Sequence, residues 1–174
     1  MNKEIIKYPN AVLKKKCREV KEVTEEIRSL GRDMIETMTE SQGLGLAAPQ
    51  VGELKRVIAV RLIKERTSEA RIEVEPRVFI NPKIIKKSKE VELEEEGCLS
   101  FPGLWLKIKR ARRVEIEALN EKGDKIHLEA EGLPARILQH EVDHLDGILF
   151  IDRISFWQRW KIRKKLKFTE TGSL

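Results

Sequence analysis

Between Ile72 and Ala130 apolar and charged residues alternate with a period of two, and no helical spacing interrupts them. No other feature constrains the fold as strongly. Parallel strands need long crossovers, usually helices, and none fits here, so these strands must pair as antiparallel hairpins. Ile72 and Val74 share one face of RIEVEPRVFI, where Pro76 is expected to break or bulge the strand. Asn81-Pro82 reads as a turn. Val91 and Leu93 alternate with acids, and Leu104, Leu106 and Ile108 share one side of the next strand. Val114, Ile116 and Ala118 repeat the pattern, and the turn Asn120-Glu121-Lys122-Gly123-Asp124 leads to Ile126, Leu128 and Ala130.

Helical segments flank this region. Over residues 24–42, Ile27, Leu30, Met34, Ile35 and Met38 recur at helical spacing, and Glu25 and Glu26 suit the dipole of the first turn. A β-branched strand, KRVIAVRLI, follows. In LPARILQHEVDHLDG, Pro134 suits a first helical turn, Gly147 a C-terminal cap, and Leu138, Val142 and Leu145 form the apolar stripe. Ser155 and Gln158 have capping-box spacing and open a basic helix expected over about 155–168. The expected class is α+β: antiparallel β-sheets packed around a central HExxH helix, with an N-terminal helix and a basic C-terminal helix. A chain of 174 residues is read as one domain, residues 1–174.

Bulk properties narrow the function classes. No apolar run of about 18 residues is present, and the start MNKEIIKYPN lacks the apolar segment of a secretory signal. The expectation is a cytoplasmic protein without a membrane partner. Its 35 basic and 29 acidic side chains leave a charge of +6, and the 37% charged share fits a surface laced with ion pairs. The two cysteines, Cys17 and Cys98, are not expected to pair in a reducing compartment.

GLGLAAPQ, residues 43–50, contains the dinucleotide pattern G-x-G-x-x-A. A nucleotide loop needs a strand before it and a helix after it, whereas here a helix precedes and a strand follows. That leaves a tight turn in which glycines let two backbones approach, or a backbone that meets a substrate.

His140-Glu141-Val142-Asp143-His144 carries the chemistry. On a helix, positions i and i+4 lie one above the other, so both imidazoles reach one metal ion while Glu141 sits beside it as a proton acceptor. A catalytic site of this kind takes three protein ligands and keeps one position open. Glu170 in the tail is a poor third ligand. Cys98, in Glu96-Gly97-Cys98-Leu99-Ser100, is an odd place for core filler. His127 competes from mid-strand, and Cys17 in KKKCREV reads as a partly buried thiol. Gln139 and Asp143 read as supporting or capping residues, not ligands.

Three motifs together resemble those of peptide deformylases. GLGLAAPQ fits G-x-G-x-A-A-x-Q, EGCLS fits outright, and QHEVDH fits Q-H-E-x-D-H, in the family's order and separations along the whole chain. The resemblance implies removal of the formyl group from N-formylmethionyl nascent peptides, with release of formate. It implies Cys98, His140 and His144 as ligands of one divalent ion, Fe2+ in the cell and replaceable by Zn2+, Ni2+ or Co2+. It further implies Glu141 as acid–base, and Gln50 with the backbone N–H of Leu99 as oxyanion donors. Gly43, Leu44, Gly45 and Gly97 would border the substrate. Where many members carry an arginine, this chain has Trp105.

Two other readings are an HExxH zinc peptidase, whose third ligand would not be Cys98, and a metal-stabilised basic binding module with no open coordination position. In SFWQRWKIRKKLKF, Arg159, Lys161, Arg163, Lys164, Lys165 and Lys167 stand without one acid, while Phe156, Trp157 and Trp160 are expected to dock the helix on the body. Such a basic face would be drawn to RNA phosphate at the ribosome.

Overall fold

The computed structural model describes residues 2–64 and 73–162. Its strands are β1 (Gly45–Ala47), β2 (Val57–Lys64), β3 (Glu73–Lys87), β4 (Val91–Cys98), β5 (Phe101–Ala111), β6 (Arg113–Leu119) and β7 (Lys125–Glu131). Its long helices are α1 (Glu25–Glu40) and α2 (Leu133–Leu145). Five strands form one sheet in the order β1-β2-β3-β6-β7, and β4 pairs with β5 in a separate hairpin. Every pairing between strands is antiparallel.

The run Val57-Ile58-Ala59-Val60 has no polar residue because β2 is covered on both faces. Val57 and Ala59, with Val78 and Ile80 of β3, pack against Ile27, Leu30, Met34 and Met38 of α1. Ile58 and Val60, with Phe79, Val114 and Ile116, pack against Leu138, Val142 and Leu145 of α2. The period of two in the strands thus sorts alternate residues to opposite faces, and the helical stripes fill the spaces above and below. A third cluster, including Leu13, Phe101, Ile108 and Phe150, lies beneath the β4–β5 hairpin, together with Leu104 and Leu106. Pro134 falls in the first turn of α2, and Gly147 follows the helix with φ of +71°, the left-handed conformation expected of a glycine cap.

Several local expectations are corrected. Asn81-Pro82 is not a turn: β3 runs through it, and the pairing with β6 shifts register between Ile80 and Lys83. Asn81 takes φ of +53°, and its side chain bonds the backbone N–H and C=O of Val20, each at 2.8 Å, so the irregularity is satisfied locally. Pro76 does not break β3, since it stays in register opposite Arg61. Val91 and Leu93 face solvent, while the acid Glu96 is buried. Near its end β4 therefore turns Glu96 inward, for a reason that lies in the site. Ser155 and Gln158 form the reciprocal cap, at 3.2 and 3.3 Å, and residues 156–162 are helical. Phe156 and Trp157 do not dock on the body but stand 67% and 70% exposed, edge to face with each other. The side chains of Ile72 and Val74, and residues Arg163, Lys164, Lys165, Lys167 and Glu170, lie outside the described residues. No helix among the described residues is long and apolar enough to cross a membrane.

Candidate active site

Successive turns of α2 present His140 and His144 with ring centroids 4.9 Å apart. Both rings are buried by the sheet behind the helix and the β4–β5 hairpin in front. At the end of β4, where the ladder shifts register after Gly97, Cys98 faces them. Its Sγ lies 3.3 Å from His144 Nε2. One donor atom each from Cys98, His140 and His144 lie within 4.8 Å of one another, close enough to share a single cation.

β4 turns inward to hold this group. Glu96 Oε2 is 2.9 Å from His140 Nδ1, which leaves Nε2 as the ring atom available to the cluster with Cys98. A carboxylate on the remote nitrogen fixes ring orientation and strengthens the other nitrogen as a ligand. Glu96 also accepts from Arg110 Nε and Nη2 at 2.9 and 3.0 Å, and from Arg136 Nη1 at 2.7 Å. Burial works against its charge, but the bonds from His140 and Arg110 outweigh burial and hold its pKa down to about 2. Arg110 continues to Asp143, which also accepts from Arg153. A row of aromatic rings backs His140: Phe150 tilted against it at 5.8 Å, then Phe101 edge-on to Phe150, and Tyr8 stacked on Phe101. Gln139 bonds the backbone of Ala111 and Ala135, so neither it nor Asp143 points into the cluster.

Glu141 is 4% exposed, and its Oε2 has no hydrogen-bond partner among the described residues. Burial lifts its pKa to about 7. Burial also pushes His144 well below its usual value, with the His140 charge adding to the effect. On His140 burial acts the same way, but Cys98 and Glu96 override it and raise the pKa to about 10. A thiol, two imidazoles and an orphaned carboxylate oxygen in one buried place form a donor set suited to a divalent transition ion with an open position.

GLGLAAPQ closes the opposite side. It forms the edge strand β1 and then a 3-10 turn, Ala48–Val51, so it has neither the order nor the shape of a pyrophosphate loop. Gln50 Oε1 accepts the Ala47 N–H at 2.8 Å, which aims Nε2 at Ser100 Oγ (3.1 Å) and Cys98 Sγ (3.5 Å). The N-terminal segment ties the two loops together: Ile6 N–H bonds Gln50 O, Tyr8 N–H bonds Ser100 O, and Lys7 Nζ bonds Leu99 O. The glycines have a local task as well. A Cβ on Gly45 would overlap Glu141 Oε1, and one on Gly43 would lie 2.7 Å from Leu99 Cδ1. Gly45→Ala is therefore expected to displace the Glu141 carboxylate. Steady-state kinetics should show a fall in kcat on the order of 100-fold, the usual effect of about 1 Å of misplacement.

The expected site residues thus converge. Gly43, Leu44, Gly45, Gln50, Gly97, Cys98, Leu99, His140 and Glu141 line one cleft of about 540 Å³, with His144 buried beside Cys98. His127 is elsewhere. With Glu115 and Glu129 it forms an exposed cluster on β6 and β7, where Lys86 already pairs with Glu115 at 2.5 Å. Cys17 is also apart, 4% exposed, and burial raises its thiol to about 11. At pH 8 that thiol stays protonated and shielded, hence unreactive. Metal-free protein is expected to release one rapid equivalent of thiol to an aromatic disulfide reagent, from Cys98. The second should appear only on unfolding, and added zinc should protect the first.

Sequence reasoning missed Glu96, Arg110, Arg136 and Ser100 as parts of the site. One signal was available: Arg110 falls in the inward phase of β5 set by Leu106 and Ile108, where an unpaired arginine would be costly.

Comparison with known proteins identifies relatives along nearly the whole chain. A family model described as polypeptide deformylase matches residues 2–160. A peptide deformylase of Neisseria gonorrhoeae is 49% identical over 163 residues, which cover 94% of this chain and 93% of the relative. The crystal structure of the Ehrlichia chaffeensis peptide deformylase in complex with actinonin superposes with a TM-score of 0.88 at 38% identity, covering 98% of both chains. The Met-Ala-Ser-bound peptide deformylase of Acinetobacter baumannii gives 0.80 at 38% identity, covering 88% of this chain and 99% of that one. With three motifs on one cleft and a family match along nearly its whole length, the chain belongs to the polypeptide deformylases, metal-dependent hydrolases that remove the formyl group from peptides.

Proposed function

We propose that Cys98, His140 and His144 hold one divalent ion, Fe2+ in the cell and replaceable by Zn2+, Ni2+ or Co2+, and that the cleft deformylates N-formylmethionyl nascent peptides. The observation that carries this reading is the convergence of Cys98 with the two helix histidines beside the orphaned oxygen of Glu141. When bound there, such an ion would polarise the formyl carbonyl and lower the pKa of water, so that hydroxide is available as the nucleophile at neutral pH. Glu141 takes the proton from the attacking water and delivers it to the departing amine nitrogen. Gln50 Nε2 and the Leu99 N–H donate to the oxygen that gains negative charge, each such donor contributing about 2.7–4 kcal/mol at the transition state. Glu96, held by two arginines, keeps the His140 ring aimed.

The peptide is read as an extended strand added to β1. That strand lies at the edge of its sheet, so the backbone of Gly43, Leu44 and Gly45 is placed to pair with substrate, with Gly97 on the facing strand. Met-Ala-Ser, held by the Acinetobacter baumannii relative, is what remains when formyl-Met-Ala-Ser loses its formyl group.

Residues 1–174 are read as one catalytic domain working in the cytoplasm. The basic segment over about 155–168, helical over its described residues 156–162, is read as the part that meets ribosomal RNA. Phe156 and Trp157 lie exposed at its start, and Arg159 is tied to Asp152 at 2.6 Å. Deleting residues 159–174 is expected to leave turnover of short peptides in place and to weaken co-sedimentation with ribosomes at low salt. Unchanged co-sedimentation would remove the ribosomal role.

The activity itself is tested by incubating metal-loaded protein with formyl-Met-Ala-Ser. One formate and one Met-Ala-Ser per turnover are expected. Cleavage of an internal peptide bond without formate would instead support the peptidase reading.

A further inference from the structure

Trp105 stands opposite Gly97 in the β4–β5 ladder. A Cβ on Gly97 would lie 3.1–3.2 Å from three atoms of the indole, so the ring rests directly on the glycine's backbone. The indole is 65% exposed and yet has a floor. An exposed aromatic ring already seated on a strand costs less to order on binding than a free side chain. Two further apolar side chains, Leu44 at 42% and Leu133 at 44% exposure, lie exposed in the same cleft. They come from three separate elements: the segment before β1, the strand β5 and the start of α2. Single exposed apolar residues are ordinary. Three that converge on the cleft holding Cys98, His140 and Glu141 form a recognition surface.

We infer that Trp105 is a specificity-determining shelf that receives the side chains following the formylmethionine and favours apolar or aromatic residues there over acidic ones. The inference rests on the deformylase reading and extends it to the sequence of the substrate. Its occupant is the peptide itself, because the apolar rim is continuous with the reacting centre. An indole face offers stacking and apolar contact but no hydrogen bond from its ring surface, so it rewards a ring or a branched chain and gives nothing to a carboxylate. This contact forms on binding and does not change along the reaction, so it acts on KM more than on kcat.

The experiment measures formate release by metal-loaded protein from formyl-Met-X-Ser and formyl-Met-Ala-X peptides, with X as Phe, Ala or Asp. In at least one series the unaltered chain is expected to prefer Phe to Asp at least 10-fold in kcat/KM, mainly through KM. Trp105→Ala should shrink that ratio at least 5-fold, and Trp105→Phe should restore most of it. Metal content and melting temperature, measured in parallel, report whether either variant is misfolded; if the Ala variant is, Trp105→Ser, expected to shrink the ratio as much, carries the test in its place. Preferences equal in all three proteins would overturn the shelf alone. No formate from any peptide would overturn the deformylase reading beneath it.

Discussion

Glu141→Gln is expected to lower kcat by at least about 100-fold, within the usual range for a positioned acid–base group, while metal content stays at one ion per chain. The amide keeps the shape of the side chain but cannot accept the proton of the attacking water. Near-normal turnover with metal in place would remove Glu141 from the chemistry. The same burial that shapes this group has a second consequence. In the metal-free protein its pKa is raised to about 7 from the ordinary value of 4.5, so folding favours the protonated form. That contribution is fully present below pH 4.5 and is lost as pH rises through 7. Above pH 7 the charged carboxylate costs the fold up to about 3 kcal/mol. Metal-free Glu141→Gln should therefore melt higher than the unaltered metal-free chain at pH 8, and the difference should vanish near pH 4.5. A bound cation beside Glu141 draws its pKa down, so the acid limb of kcat/KM is expected at lower pH than the metal-free group titrates.

Cys98→Ala is expected to weaken metal binding at least about 100-fold and to remove activity with it. Losing even an outer partner of a ligand costs 10–100-fold in affinity, and Cys98 is placed as a ligand itself. Elemental analysis after desalting should find the variant nearly metal-free. The two histidines alone would leave two open positions, a set that holds divalent ions weakly. Stoichiometric metal and normal activity in this variant would reassign the third ligand.

Some of this was legible in the residues, and some was not. The strands between Ile72 and Ala130 could be read as antiparallel because the period of two is a local property. α2 could be read because its stripe, Pro134 and Gly147 agree on its limits. The orientation of β4 could not. Val91 and Leu93 looked like the inward face, and the acids looked solvated. Yet Glu96 is buried, because Arg110 and Arg136 from two other elements meet it there. That choice is made by a network spread over three segments, which no single window of sequence contains. Asn81-Pro82 misled for a related reason: both residues favour turns, but the side chain of Asn81 completes the backbone bonding of Val20 and lets β3 continue. Gly45 was expected to admit substrate. It also makes room for Glu141, a neighbour almost a hundred residues later in the chain.

The most direct test of the central claim is X-ray absorption at the zinc edge of the zinc-loaded protein. One sulfur at about 2.3 Å and two imidazole nitrogens at about 2.0–2.1 Å are expected, with an oxygen in the remaining position. A zinc shell made only of nitrogen and oxygen would contradict it, because Cys98 would then not be a ligand.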